Sequence, residues 1–424
     1  GRVYMDLMSN KKVKVYIDTI CSHVKFKEAH NEIRDEIFTH LIDAVEEHIK
    51  EGHSREDSID MAIEQMGDPL DLGRKLNEVH KPKPEWSILV LTLVFSLIGV
   101  LFIYSISKNN ISDKMFKKSI FMILSGLAII FLLYFYDYRR LRPFSKYIYL
   151  VVTVFLVLNA NIRIFPFTTD ISYLAPIFYA IALAGMFSEG EWENRKNIIN
   201  LGILLLPIVI FFARSSRVSI VSAAIYFVVA LVICIMSGIN IKHILGIIIS
   251  IFLIALYSII SVPYRFSRVL AFLNPEKDAG GAGYINIQLR KVLTSSGLFG
   301  NGFDFNLNEM HIPELHTDFI FSYIVYTLGW IAGIVLISLI VIFFIRLIKT
   351  TKNIASSYGK LIVASFTAIF IVQFSYNILM VLGLAPIAGF SLPFISYGTL
   401  LNIANMVMIG IISSVYRRKN ILEQ

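Results

Sequence analysis

His316-Thr317-Asp318 stand where a polar, Gly-rich stretch gives way to an apolar run of about 28 residues. A carboxylate at the mouth of a membrane helix is costly to keep there, and such groups usually serve a function. Two tasks suit Asp318. It could cap the helix that follows, where Asp is favoured by the free amides and the dipole. It could also take a proton from a substrate hydroxyl as a general base. Arg163, Arg214, Arg217, Arg265, Arg268 and Lys291 are candidate cations for a phosphate, which arginine grips with two parallel hydrogen bonds. Each could equally snorkel to lipid headgroups. Ser396-Tyr397-Gly398 lie at another helix entrance. There the tyrosine hydroxyl could bind a sugar, or the ring could be a belt aromatic beside a packing glycine. Glu309 and Glu314 could help hold a divalent cation, magnesium or manganese, or simply be solvated.

The elements that position these residues are membrane helices. A spanning helix needs about 20 mainly apolar residues. Ten such runs are predicted, near 86–107, 119–136, 146–160, 172–187, 198–213, 218–237, 242–262, 318–346, 360–382 and 396–416. Fold class is therefore all-α, a polytopic membrane protein. Arg139, Arg140, Arg142 and Lys146 fall in one connection, Arg346, Lys349, Lys352 and Lys360 in another, and Arg417, Arg418 and Lys419 after the last helix. The positive-inside rule puts these groups, and both termini, on the cytoplasmic side. Lys108, Lys114, Lys117 and Lys118 violate it. Two connections then face outward: a long one, about 263–317, and Gly383 to Ile395. Long polar loops between helices are usually functional.

Before the first span lies a different kind of sequence. Residues 1–85 carry 13 basic and 18 acidic side chains, while the rest of the chain is strongly basic. Phe26, Ala29, Ile33, Ile37, Leu41, Val45 and Ile49 predict one amphipathic helix, closed by Gly52. Ser54 caps a second, with Ile59, Ala62, Ile63 and Met66 as its stripe. Asp68-Pro69 opens a third, with Leu70, Leu72, Leu76 and Val79 as candidate core. Residues 1–85 thus read as a soluble helical head and 86–424 as the membrane domain. His40 and His48 could share a helix face and a metal, but surface histidines are the plainer reading. Cys21 and Cys234 give no disulfide framework or metal spacing. The first apolar segment starts too late for a cleavable signal peptide. There is no nucleic-acid motif, and the Gly-rich run at Asp278 to Gly281 lacks the strand and the Lys-Ser/Thr ending of a nucleotide loop.

GFSLPFISYGT, Gly389 to Thr399, resembles the G-x-x-LPF-x-SYG signature of the SEDS family (shape, elongation, division and sporulation), the group of RodA, FtsW and SpoVE. Arg268 with FLNPEKDAGGAGYINIQ, Phe272 to Gln288, resembles that family's long extracellular loop. GLFGNGF, Gly297 to Phe303, and IPELHTDFIF, Ile312 to Phe321, continue the resemblance in order. It implies a peptidoglycan glycosyltransferase that polymerises lipid II at the outer face of the bacterial cytoplasmic membrane. The expected partners are a class B penicillin-binding protein and other cell-wall synthesis proteins of division or elongation. The family's essential aspartate falls on Asp318. Arg268, Gln288, Lys291, His316, Thr317, Ser396 and Tyr397 fall on matched motifs and are implied to bind substrate. The run EIRDEIFTHLIDAVEEHIKEG with AIEQMGDPLDLGRKL resembles small helical prefix domains of permeases and sensors, which implies a regulatory head.

The chain also departs from the family. A QPSE-x-x-K run has no counterpart at Thr169 to Tyr173, and a QPDLGT run is replaced by Ala213-Arg214-Ser215-Ser216-Arg217. The acidic pair usual after HTDF is Tyr326-Thr327. Arg214 and Arg217 are expected to bind phosphate in place of the lost acidic motif. Two other readings stay open: a non-catalytic regulator or scaffold, favoured by the lost motifs, and a flippase for a lipid-linked precursor, which should show repeats and helices broken near the bilayer middle.

Overall fold

The computed structural model describes residue 7 and residues 10–82, 84–109, 113–161, 171–188, 194–213, 217–303 and 312–420. Arg163, Arg214 and Glu309 lie outside them. The described chain is helical and divides into two compact units: residues 1–84 with 417–424, and residues 85–416.

Among the described residues the head holds four α-helices: α1 (Lys11–His23), α2 (His30–Lys50), α3 (Arg55–Met66) and α4 (Pro69–His80). The caps are those the sequence predicts. Ser54 Oγ accepts from the Asp57 amide at 3.3 Å, and Asp68 Oδ1 from the Leu70 amide at 3.1 Å. The helix α1 was not expected. Val13, Tyr16, Ile17, Ile20 and Cys21 form its buried face. That stripe has helical spacing, but its β-branched residues weaken local helix propensity, so burial against α4 and α2 decides the outcome. Phe26 caps, and Ala29 closes, a 3₁₀ turn (Lys27–Ala29) before α2 rather than opening the helix. The prediction for α4 is partly corrected. Leu72, Gly73 and Leu76 face the core, which turns Leu70 and Val79 outward to 42% and 59% exposure. Ile49, in the last turn of α2, is exposed as well. Arg418 was counted as a loop charge. It is instead buried in this unit, its guanidinium paired with Glu28, Nη2 to Oε1 at 3.0 Å.

The membrane unit contains ten apolar helices among the described residues: α5 (Trp86–Asn109), α6 (Asp113–Phe135), α7 (Ser145–Asn161), α8 (Ala175–Phe187), α9 (Asn194–Ala213), α10 (Arg217–Met236), α11 (Ile241–Ser261), α14 (Ile320–Lys352), α15 (Ser357–Val381) and α16 (Thr399–Arg417). All ten coincide with predicted spans. Seven of the apolar segments are long enough to cross a bilayer, and three are shorter. This is a multi-pass membrane protein. The helix α8 has 13 residues, about 20 Å of rise against a hydrocarbon core of about 30 Å, and most of it is buried.

Lipid is as apolar as leucine, so packing rather than water exclusion must hold such helices together. The helix α15 is the centre of that packing. Its Phe370 and Phe374 pack tilted or edge-on against Phe95 of α5, Phe343 of α14 and Phe394 of the 383–395 connection, with ring centroids 5.5 to 6.0 Å apart.

The 263–317 connection is not a plain loop. It carries two further helices, α12 (Pro263–Leu273) and α13 (Tyr284–Ser295). The long α14 is broken at Gly329, whose φ of 81° and ψ of 176° end one helix and start another. Membrane helices tolerate a break only where the freed backbone groups find partners. Here GLFGNGF supplies them: the Asn301 and Gly302 amides donate to Tyr326 and Thr327 carbonyls at 2.8 and 3.0 Å, and the Trp330 amide donates to Gly297 at 3.1 Å. A Cβ on Gly329 would lie 2.1 Å from the Leu298 carbonyl oxygen, so glycine is required.

Candidate active site

Asp318 lies in a turn, residues 313–319, that leads into α14. Glu314 takes a left-handed φ of 58°, and its carbonyl accepts the Thr317 and Phe319 amides at 3.1 and 3.3 Å. Thr317 Oγ1 donates to Glu314 Oε2 at 2.8 Å. The cap position of α14 is Phe319, and Asp318 stands one residue before it.

The 383–395 connection and the residues just after it clasp this turn. Ser396 Oγ donates to the Thr317 carbonyl at 2.6 Å and accepts the Leu392 amide at 2.8 Å. The Tyr397 amide donates to the His316 carbonyl at 2.8 Å. Asn377 Nδ2 donates to the Asp318 carbonyl at 2.8 Å and also to that of Phe390. The His316 and Tyr397 rings lie 5.6 Å apart. Two motifs far apart in sequence thus form one site. Ser396 is buried and its hydroxyl is taken up within the chain, which makes it a positioning group.

The carboxylate of Asp318 lies beside Gly389. A Cβ built on Gly389 would be 3.8 Å from Asp318 Oδ2 and 3.0 Å from the Tyr173 hydroxyl oxygen. Tyr173 donates to the Gly389 carbonyl at 3.2 Å. Gly389 also lines a cavity of about 160 Å³ with Tyr264, Arg268, Tyr376, Pro386 and Ile387. Arg268 is fixed there: Nη1 donates to the Ile387 carbonyl at 3.0 Å, and its guanidinium lies 5.1 Å from the Tyr264 ring centre. Arg265 lines the same cavity but is buried, with Nη1 turned to Ser258 of α11. Gly389 thus stands between the Asp318 carboxylate and Tyr173 hydroxyl on one side and a partly apolar chamber lined by Arg268 on the other. The arrangement can accept a proton, bind hydroxyls and balance an anion.

Burial lowers the proton affinity of His316, and the nearby Glu314 carboxylate offsets part of that. Gln288 and Lys291 stand on α13, half-buried and exposed respectively, and do not line the Arg268 cavity. Arg217 begins α10. No three His, Cys, Asp or Glu side chains are grouped to hold a metal ion among the described residues. Several site residues escaped the sequence reading, among them Asn377, which holds the Asp318 carbonyl. Tyr173 fell in a segment noted only for the motif it lacks. Lys118, which counted against the charge rule, extends over the Tyr397 ring with Nζ 5.8 Å from its centre. Its position among misplaced lysines was the signal available.

The FtsW/RodA/SpoVE cell cycle protein profile matches residues 85–421. Stage V sporulation protein E of Bacillus subtilis is 26% identical over 363 residues, covering 80% of this chain and 98% of that protein. Peptidoglycan glycosyltransferase MrdB of Escherichia coli is 25% identical over 368 residues, covering 82% and 96%. Among solved structures, a chain of a peptidoglycan synthase complex superposes with a TM-score of 0.64 at 18% identity, covering 80% of this chain and 98% of its own. The rod shape determining protein RodA of Thermus thermophilus gives 0.59 at 19%, with the same coverage. These two share the fold. From a profile match spanning nearly the whole membrane unit, the chain belongs to the FtsW, RodA and SpoVE family of cell cycle proteins.

Proposed function

We propose that this chain is a peptidoglycan glycosyltransferase that polymerises lipid II, with Asp318 as the general base. The observation that carries the proposal is the position of the Asp318 carboxylate, beside Gly389 and Tyr173 and next to the Arg268 cavity. Names of the relatives agree, since RodA of Treponema pallidum and MrdB are both called peptidoglycan glycosyltransferases.

In this reading Asp318 accepts the proton of the acceptor sugar hydroxyl while that oxygen attacks the anomeric carbon of the donor. The new glycosidic bond forms as the bond from carbon to phosphate oxygen breaks. Polyprenyl pyrophosphate leaves with the electron pair, and Arg268 balances its charge. An α-linked donor gives a β-linked product by inversion, with no covalent enzyme intermediate. Tyr173 is placed to bind a sugar hydroxyl. Base catalysis of this kind is worth about 10²- to 10⁴-fold in rate.

The proposal extends to topology and partners. The termini and the head lie in the cytoplasm, the 263–317 connection outside, and the head regulates. A class B penicillin-binding protein adds the crosslinks, and the related chain from a peptidoglycan synthase complex supports such an assembly. The test is glycan polymer formation from purified lipid II, with and without that partner. Polymer from wild type and none from Asp318→Asn supports the enzyme. No polymer from either, with folded protein and partner present, favours the regulator reading instead.

A further inference from the structure

A second, larger cavity of about 410 Å³ shares no lining residue with the Arg268 chamber. One wall is a face of α13: Asn286, Leu289, Arg290, Leu293 and Thr294, the spacing of one helical stripe. The other walls are Trp330, at the break in α14, and Met380 to Gly383, at the end of α15. Its size is that of a ligand site, and its mix of apolar walls with a few polar groups is typical of one. Three observations indicate what it holds. The amide oxygen of Asn286 is buried without a hydrogen-bond partner, which calls for a donor from a ligand. Arg290 supplies a cation that is always charged and forks to phosphate. Leu273 and Leu384, next in sequence to the lining residues Phe272 and Gly383, are 70% and 66% exposed, as suits a rim in contact with lipid.

We infer that this cavity binds a lipid phosphate whose head carries hydroxyl groups. The phosphate meets Arg290, a hydroxyl donates to Asn286 Oδ1, and the chain lies along Leu293, Val381 and Leu382. Two sources share this chemistry: a lipid-linked saccharide, such as a second copy of the proposed substrate, and a bilayer phosphatidylglycerol. The site does not depend on the chain being a polymerase.

A photo-crosslinking experiment tests it. The full chain carries Thr294→Cys labelled with a benzophenone and is placed in phosphatidylcholine nanodiscs; the native Cys21 and Cys234 are buried. Labelled lipid II and labelled phosphatidylglycerol are offered in separate arms. Crosslinking of lipid II, competed by excess unlabelled lipid II, identifies the substrate source; crosslinking of phosphatidylglycerol alone identifies the bilayer source. Either should fall about tenfold or more with Arg290→Gln, the loss expected when a charge-assisted bond is removed. Asn286→Leu should lower it too, and Arg346→Gln, an exposed arginine near the far end of α14, should not. No crosslink in either arm, or equal yields with Arg290→Gln, would overturn the site. Photolysis needs no turnover, so an inactive chain that still crosslinks would contradict the proposed polymerase and leave this inference standing.

Discussion

Ser396 Oγ donates to the carbonyl of Thr317 at 2.6 Å, joining the residue before Asp318 to a segment 79 positions further along the chain. This bond and that from the Tyr397 amide hold the turn that carries the carboxylate. Ser396→Ala leaves the Thr317 carbonyl and the Leu392 amide without their partner. Unpaired buried groups cost about 1–3 kcal/mol each, so we expect a lower melting temperature. The polymerisation rate should fall about tenfold as the carboxylate loses its position. Ser396→Thr, which keeps the hydroxyl, should restore much of both. Thermal melting and initial rates at saturating lipid II check this.

Gly389 is the second constraint on the site. Adding one methyl there brings a Cβ to 3.0 Å from the Tyr173 hydroxyl, tighter than ordinary contact. Gly389→Ala should therefore lower kcat. Removing the obstructing oxygen should relieve it, so Gly389→Ala with Tyr173→Phe should be more active than Gly389→Ala alone. Additive losses in this double-mutant cycle would show that the two residues do not press on each other.

The break in α14 makes a prediction about folding rather than chemistry. Gly329→Ala must clear a backbone oxygen 2.1 Å from its Cβ and adopt a positive φ. We expect gross destabilisation. Gly302→Ala shares the positive φ of 80° but meets no atom within 4 Å, so it should cost only about 1 kcal/mol. Comparing the two melting temperatures separates crowding from backbone strain.

Burial depresses the proton affinity of His316 below its ordinary value of 6.5. Above that value the ring is neutral whether the chain is folded or not. As pH falls through it, the unfolded chain takes the proton first, so stability is lost toward the lower folded value. The groups facing the ring are Glu314, which opposes the shift, and Tyr397, over which Lys118 lies. Melting temperature should drop between about pH 7.5 and 5.5 more steeply in wild type than in His316→Gln.

What was legible in the sequence follows from what is local. Ten apolar runs announce ten helices because hydropathy over 20 residues needs no tertiary knowledge. Ser54, Asp68 and Pro69 announce helix starts for the same reason. The first head helix was missed because Val13, Ile17 and Ile20 owe their helical state to neighbours, not to propensity. The break at Gly329 was missed because its backbone partners come from Gly297 to Gly302, beyond any local window. His316 to Asp318 and Ser396 to Tyr397 could each be read as a motif, but their hydrogen bonds could not. Tyr173 joins the site through Gly389, which lies 216 residues away.

The most direct measurement compares Asp318→Asn with wild type in two assays on the same preparations: lipid II binding and the initial rate of glycan polymerisation. A base that acts only in the transition state predicts unchanged binding and a rate about 10² to 10⁴ lower. A rate within a few-fold of wild type, with binding intact, would contradict the assignment of Asp318 as the base.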